Sequence, residues 1–203
     1  MGPSIELILF DLGGVLVELR DTLFPPDWFP GYTRFGLDEW VKHESALAFE
    51  RGLIDADTFT QACISELNLQ ADPALVREYL IGFTVGPFAG VHELLASIDD
   101  RYRLAVLSNT NELHWPIITE EYGFAHFFEG MYASHLLNMA KPEPAIYQTV
   151  LSLLQIDADR VLFLDDNFNN VQAAGSLGMQ AAQVKGLTEV RQCLHEKGLL
   201  SLA

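Results

Sequence analysis

Three short apolar runs in this chain each stop abruptly at polar or acidic residues, and this restricts the fold more than any other feature. Ile5-Glu6-Leu7-Ile8-Leu9-Phe10 ends at Asp11, Leu104-Ala105-Val106-Leu107 ends at Ser108-Asn109, and Val161-Leu162-Phe163-Leu164 ends at Asp165-Asp166. A weaker fourth run is Met179-Gln180-Ala181-Ala182-Gln183-Val184. Short, nearly continuous apolar runs fit strands buried on both faces, as in a parallel sheet. Helical stripes lie between them. Val91, Leu94, Leu95 and Ile98 share one face; Ile146, Val150, Leu151 and Leu154 share another, after Pro144, which suits a first helical turn. Val171, Ala174 and Leu177 form a third, closed by Gly178. Strands alternating with helices predict an α/β fold, a doubly wound parallel sheet.

The stretch from about Glu18 to Gly86 is different. It opens with the loop-like Phe24-Pro25-Pro26-Asp27-Trp28-Phe29-Pro30-Gly31, then reads as helices over Leu37 to Glu50, Ala56 to Leu67 and Pro73 to Phe83, with no evident strand. The expected organisation is a discontinuous core domain, 1–17 and 87–203, with a small all-helical cap, 18–86, inserted after the first strand. A chain of 203 residues suits one domain with a small insertion.

A formal net charge of −16 repels phosphodiester backbones and anionic headgroups, so neither nucleic acid nor membrane is an expected partner. An anionic ligand must then be captured locally, by the few cations, by helix N-termini or by a bound metal. Cys63 and Cys193 form no CxxC pair, which argues against a disulfide scaffold, a thiol redox site or a zinc cluster. The first apolar run lacks a basic flank and is cut short by Asp11, so it does not read as a signal peptide. No run approaches the ~20 apolar residues of a membrane helix. A cytoplasmic protein is expected, with oligomeric state left open.

In an open parallel sheet, ligands bind outside the carboxyl ends of the strands. Those ends here carry Asp11, Ser108-Asn109 and Asp165-Asp166. Converging carboxylates repel one another unless a cation lies between them, and oxygen ligands with room for water and phosphate favour Mg²⁺. Taken singly, each feature has an ordinary explanation. An Asp or Ser-Asn after a strand is usually a turn or helix cap, and Asp-Asp often opens a helix.

Taken together, the motifs resemble the haloacid dehalogenase (HAD) superfamily. Phe10-Asp11-Leu12-Gly13-Gly14-Val15-Leu16-Val17 resembles its first signature, and Leu107-Ser108-Asn109-Thr110 its second. Lys141-Pro142-Glu143-Pro144-Ala145-Ile146-Tyr147 resembles the third, and Phe163-Leu164-Asp165-Asp166-Asn167-Phe168-Asn169-Asn170 the fourth. All four stand in the family's order on the strand–helix pattern, and the helical insertion resembles the cap of its subfamily I. Within the family the chain resembles bacterial glucose-1-phosphate phosphatases and the phosphatase domain of soluble epoxide hydrolase. The resemblance implies a phosphatase acting on a small phosphorylated metabolite, a sugar phosphate among the candidates. Asp11 would attack phosphorus to form an aspartyl-phosphate. Mg²⁺ would be held by Asp11, the Gly13 carbonyl and Asp166, with Asp165 joining directly or through water. Ser108 and the Asn109 backbone N–H would hold phosphoryl oxygens, Lys141 would neutralise charge, and Asn170 would orient the acidic pair. Arg51, in the loop-like Phe49-Glu50-Arg51-Gly52 of the cap, is a candidate contact to a substrate anion or hydroxyl; an ordinary helix end explains that stretch equally well. His114 and Trp115 are weaker pocket candidates.

One position departs from the family. Two residues after the nucleophile most HAD phosphatases carry a second Asp, the general acid, and this chain has Gly13. Such groups contribute ~10²–10⁴-fold. Three outcomes are open: another group substitutes, Glu50 and His114 being candidates by type; the substrate has a good leaving group, the favoured reading; or turnover is lost and the site only binds phosphate. The 2-haloacid dehalogenases, which use the same Asp on carbon without metal, are the alternative enzyme reading.

Overall fold

The computed structural model describes residues 4–30 and 43–201. In chain order its strands and α-helices are β1 (Leu7–Phe10), β2 (Val17–Leu19), α1 (Glu44–Glu50), α2 (Ala56–Glu66), α3 (Pro73–Ile81), β3 (Thr84–Pro87) and α4 (Val91–Ala96). There follow β4 (Arg103–Ser108), β5 (Gly130–Ala133), α5 (Ser134–Leu137), α6 (Pro144–Leu154), β6 (Val161–Asp165), α7 (Phe168–Ser176), β7 (Gln180–Gln183) and α8 (Gly186–Glu196). Five strands form one parallel sheet in the order β5-β4-β1-β6-β7.

The sheet is covered on both faces, as its continuous apolar strands require. Ile8 and Phe10 of β1, Leu104 and Val106 of β4, and Leu162 and Leu164 of β6 point into one core. Val91, Leu94 and Leu95 of α4 and Val190 and Leu194 of α8 complete that layer. The alternate residues, Leu7 and Leu9, Ala105 and Leu107, Val161 and Phe163, enter a second core with Ile146, Tyr147, Val150 and Leu154 of α6 and Ala174 of α7. A period of two along each strand thus divides one apolar run between two layers.

The segment between β2 and β3 has an apolar cluster of its own. Phe49 stacks on Phe59 with ring centroids 4.1 Å apart, and Leu23, Phe24, Cys63, Val76, Leu80 and Phe83 join them. Its helices start where side chains cap them: Asp55 accepts from the Thr58 N–H and Asp72 from the Ala74 N–H, each at 2.8 Å, with Pro73 in the first turn of α3. The helix expected over Leu37 to Glu50 is observed as α1; its positions 37–42, like Gly31, lie outside the described residues. The stretch from about Glu18 to Gly86, read as having no strand, carries the antiparallel pair β2–β3 at its two ends. Those strands are short and carry Gly86 and Pro87, so they give no alternating signal. The edge strand β5 was equally silent, being half-exposed and opened by Gly130. Among the described residues no helix is long and apolar enough to cross a membrane.

The central strands should dominate stability. Phe163→Ala, in β6 and fully buried, is expected to cost about 3–5 kcal/mol in urea unfolding, whereas Leu53→Ala, 63% exposed, should stay within about 0.5 kcal/mol.

Candidate active site

Strand order creates the site. β4, β1 and β6 are adjacent, so Ser108, Asp11 and Asp165-Asp166 emerge side by side at their carboxyl ends. The Asp11 N–H continues the sheet by donating to Leu164 O at 2.8 Å. Asp11, Asp165 and Asp166 each offer an oxygen within 4.8 Å of the others. The backbone that lets them close up depends on Gly14, whose φ is +73° and whose Cβ, if present, would run into Asp166 Oδ2.

Lys141 holds this acidic group together. Its ammonium, almost wholly buried, lies 2.9 Å from Asp11 Oδ1 and 2.6 Å from Asp165 Oδ2, and donates to Leu107 O at 3.1 Å. Burial alone would lower its pKa, but the carboxylates of Asp11 and Asp165 outweigh that and hold it above its ordinary value. Asp165 is further tied down. Asn170 Nδ2 donates to both its oxygens, at 3.0 and 3.1 Å, and the Asn167 N–H donates to Oδ1 at 2.8 Å. Tyr147 anchors Asn170 in turn, its hydroxyl donating to Asn170 O at 3.1 Å. Burial pushes the Asp11 carboxyl up to about 7, against the pull of Lys141, with Asp165 and Asp166 adding to the rise. An all-oxygen donor set of three close carboxylates fits a hard divalent cation; of the three, Asp165 has its oxygens already engaged, leaving Asp11 and Asp166 the freer donors.

Ser108 and Asn109 stand at the same crevice, of about 850 Å³, which Gly13, Lys141, Asp166 and Asn170 also line. Asn109 has a side-chain role that its motif did not disclose. Its Oδ1 accepts from the Lys141 N–H at 2.9 Å, and its Nδ2 donates to Lys141 O at 3.0 Å and to Glu50 Oε2 at 3.3 Å. It therefore clips the lysine loop to β4 and reaches the inserted helices. Apolar side chains also line the crevice: Leu19, Leu23, Leu47, Phe49, Phe59 and Phe83.

Arg51 does not line the crevice. It pairs with Glu143 just beyond Lys141, and its carbonyl accepts from Asn138 Nδ2 at 2.9 Å. This seam joins the insertion to the core, and Gly52 makes it possible, since a Cβ there would run into His135 O. Ala56 N–H donating to Glu112 Oε1 at 2.6 Å extends it. His114 does line the crevice, but both its nitrogens are engaged: Nε2 lies 2.6 Å from Leu80 O and Nδ1 3.2 Å from Asn111 Nδ2. Trp115 packs against the first core instead.

This chain is similar to known proteins. The sequence pattern of the haloacid dehalogenase-like hydrolases matches residues 5–178. A phosphoglycolate phosphatase of Vibrio cholerae serotype O1 is 25% identical over 185 residues, covering 86% of this chain and 82% of that protein. An (S)-2-haloacid dehalogenase of a Pseudomonas strain is 27% identical over 154 residues, covering 74% and 66%. The solved structure of a HAD family enzyme of Bacteroides thetaiotaomicron, in complex with magnesium and inorganic phosphate, superposes with a TM-score of 0.75 at 26% identity, covering 90% of this chain and 95% of that one. With the pattern spanning most of its length, the chain belongs to the haloacid dehalogenase-like hydrolases.

Proposed function

We propose that this hydrolase is a magnesium-dependent phosphomonoesterase of the cytoplasm, acting on a small phosphorylated metabolite through an aspartyl-phosphate on Asp11. The observation that carries the reading is the buried Lys141 ammonium bridging Asp11 and Asp165 beside a third carboxylate, Asp166. The phosphatase relative and the neighbour holding magnesium and phosphate support it. The dehalogenase relative supports the alternative. Carboxylate attack on the neutral carbon of a haloacid needs no cation beside the nucleophile, however, so three converging carboxylates would be a cost without a use.

In this reading residues 18–86 act as a cap over the core, 1–17 and 87–203. Asp11, the Gly13 carbonyl and Asp166 would hold Mg²⁺, and Asp165 would reach it through water because its oxygens are already engaged. The bound ion supplies the charge neutralisation that lets a carboxylate meet a phosphate dianion. Lys141 fixes Asp11 in its ionised, attacking orientation and faces the transferring group. The Ser108 hydroxyl and the Asn109 backbone N–H bind phosphoryl oxygens, and Asn170 keeps Asp165 aligned with Lys141. The apolar wall receives the organic part of the ester and keeps bulk water from it. Sugar phosphates remain candidates, docking a ring face on that wall.

The decisive assay is phosphate release from a panel of sugar-1-phosphates, sugar-6-phosphates, nucleotides and an aryl phosphate. Release should require Mg²⁺, stop with chelator, and be abolished in Asp11→Asn. No release by any member despite measured Mg²⁺ binding would overturn the reading. Lys141→Met should lower kcat/KM by at least about 10²-fold. It should also lower the urea midpoint, because Asp165 keeps a buried charge without its partner.

A further inference from the structure

The phosphomonoesterase reading leaves the departing oxygen without a proton source. Residue 13 is glycine, and a Cβ there would sit 3.0 Å from Leu19 Cδ1, so an apolar side chain stands where an acid at this position would begin. We infer that Glu50, the last residue of α1, donates a proton to the leaving-group oxygen from the insertion side of the crevice and then takes one from the hydrolytic water. The inference rests on the phosphomonoesterase reading.

Among the described residues, the carboxylates lining the crevice are Asp11, Asp166 and Glu50. The first two belong to the cation cluster; Glu50 does not. Glu50 and Asp11 flank the same pair of residues. Asn109 bonds Glu50 Oε2 and the Lys141 backbone, and the Lys141 ammonium bonds Asp11. Glu50 thus shares the crevice with Asp11 without joining its cation cluster, and in this proposal an ester whose phosphorus meets Asp11 turns its leaving group toward Glu50. Only Oε2 of Glu50 is engaged; among the described residues Oε1 accepts no hydrogen bond. His114 is ruled out as donor by the engagement of both its nitrogens.

Burial pushes Glu50 up to about 7, opposed by Lys141, by Arg51 on its own loop and by the Asn109 hydrogen bond. Asp11, His114, Asp166 and Lys185 are the other titratable groups lining the crevice. A carboxyl poised near neutrality serves in both directions. In the first step an Asp11 oxygen bonds to phosphorus, the P–O bond to the leaving group breaks, its electron pair stays on that oxygen, and the Glu50 proton converts it to an alcohol. In the second, water bonds to phosphorus as Glu50 accepts its proton. The P–O bond to Asp11 breaks, inorganic phosphate forms, and Asp11 is regenerated as a carboxylate.

The test compares wild type, Glu50→Gln and Glu50→Asp on an alkyl phosphate and on p-nitrophenyl phosphate, whose leaving group needs little protonation. Glu50→Gln should lower kcat/KM on the alkyl phosphate by ~10²–10⁴-fold but on the aryl phosphate by less than ~10-fold. Glu50→Asp should fall between wild type and Glu50→Gln on the alkyl ester. Wild-type kcat/KM on the alkyl ester should fall on the alkaline side of about pH 7, where Glu50 loses its proton, and Glu50→Gln should lack that fall while keeping the rise on the acid side, where Asp11 ionises. Equal losses on both substrates, or unchanged alkyl turnover, would overturn the inference while leaving the phosphatase standing. An inactive wild type would instead overturn the phosphomonoesterase reading itself.

Discussion

A single buried ammonium organises this molecule's chemistry. Lys141 sits between Asp11, just after β1, and Asp165 of β6, and without it two carboxylates at adjacent strand ends would face each other in a dry place. The ammonium cannot hold that position alone. Asn109 grips the lysine backbone on both sides of the peptide, Asn170 and the α7 N-terminus grip Asp165, and Tyr147 grips Asn170. These partners come from the ends of β4, β6, α6 and α7, so the charge balance of the site depends on the sheet order that makes those ends neighbours. The three apolar strands thereby act on function: they are the frame that brings the charges within bonding distance.

Much of this was legible in the sequence because it is written in local chemistry. Phe10-Asp11, Leu107-Ser108 and Leu164-Asp165 mark the points where a buried strand gives way to a polar group, and both the sheet and the convergence of those groups follow from that change. Ala56 and Pro73 as helix starts were legible for the same reason, since Asp55 and Asp72 cap them from the preceding position. The ribbon β2–β3 and the edge strand β5 were not. Their pairing is decided by what lies beside them, and residues such as Gly86, Pro87 and Gly130 carry no strand signature.

The site residues divide along the same line. Asp11, Ser108, Lys141, Asp165 and Asp166 are distinguished by motif and spacing. Glu50 and Arg51 are neighbours with opposite placements: the glutamate lines the crevice and the arginine turns to Glu143. One residue step at the end of a helix swings a side chain by about 100°, so which of the two faces the crevice depends on how α1 docks on the core. Docking is a tertiary fact that no run of residues states. The side-chain role of Asn109 was hidden likewise, because it lies in contacts to positions 32 and 59 residues away.

The seam that seats the insertion has a kinetic meaning. It consists of a partly exposed ion pair, a few hydrogen bonds to loop carbonyls and carboxylates, and a glycine that permits backbone to meet backbone. Contacts of this kind are individually weak. The insertion and the core each have an apolar cluster of their own, and the two meet at Leu19, which packs against both, and at Leu113, which packs into the insertion's cluster. In the proposed cap reading, a joint of weak contacts is where the insertion parts from the core, so product leaves on the time scale of turnover without either side unfolding.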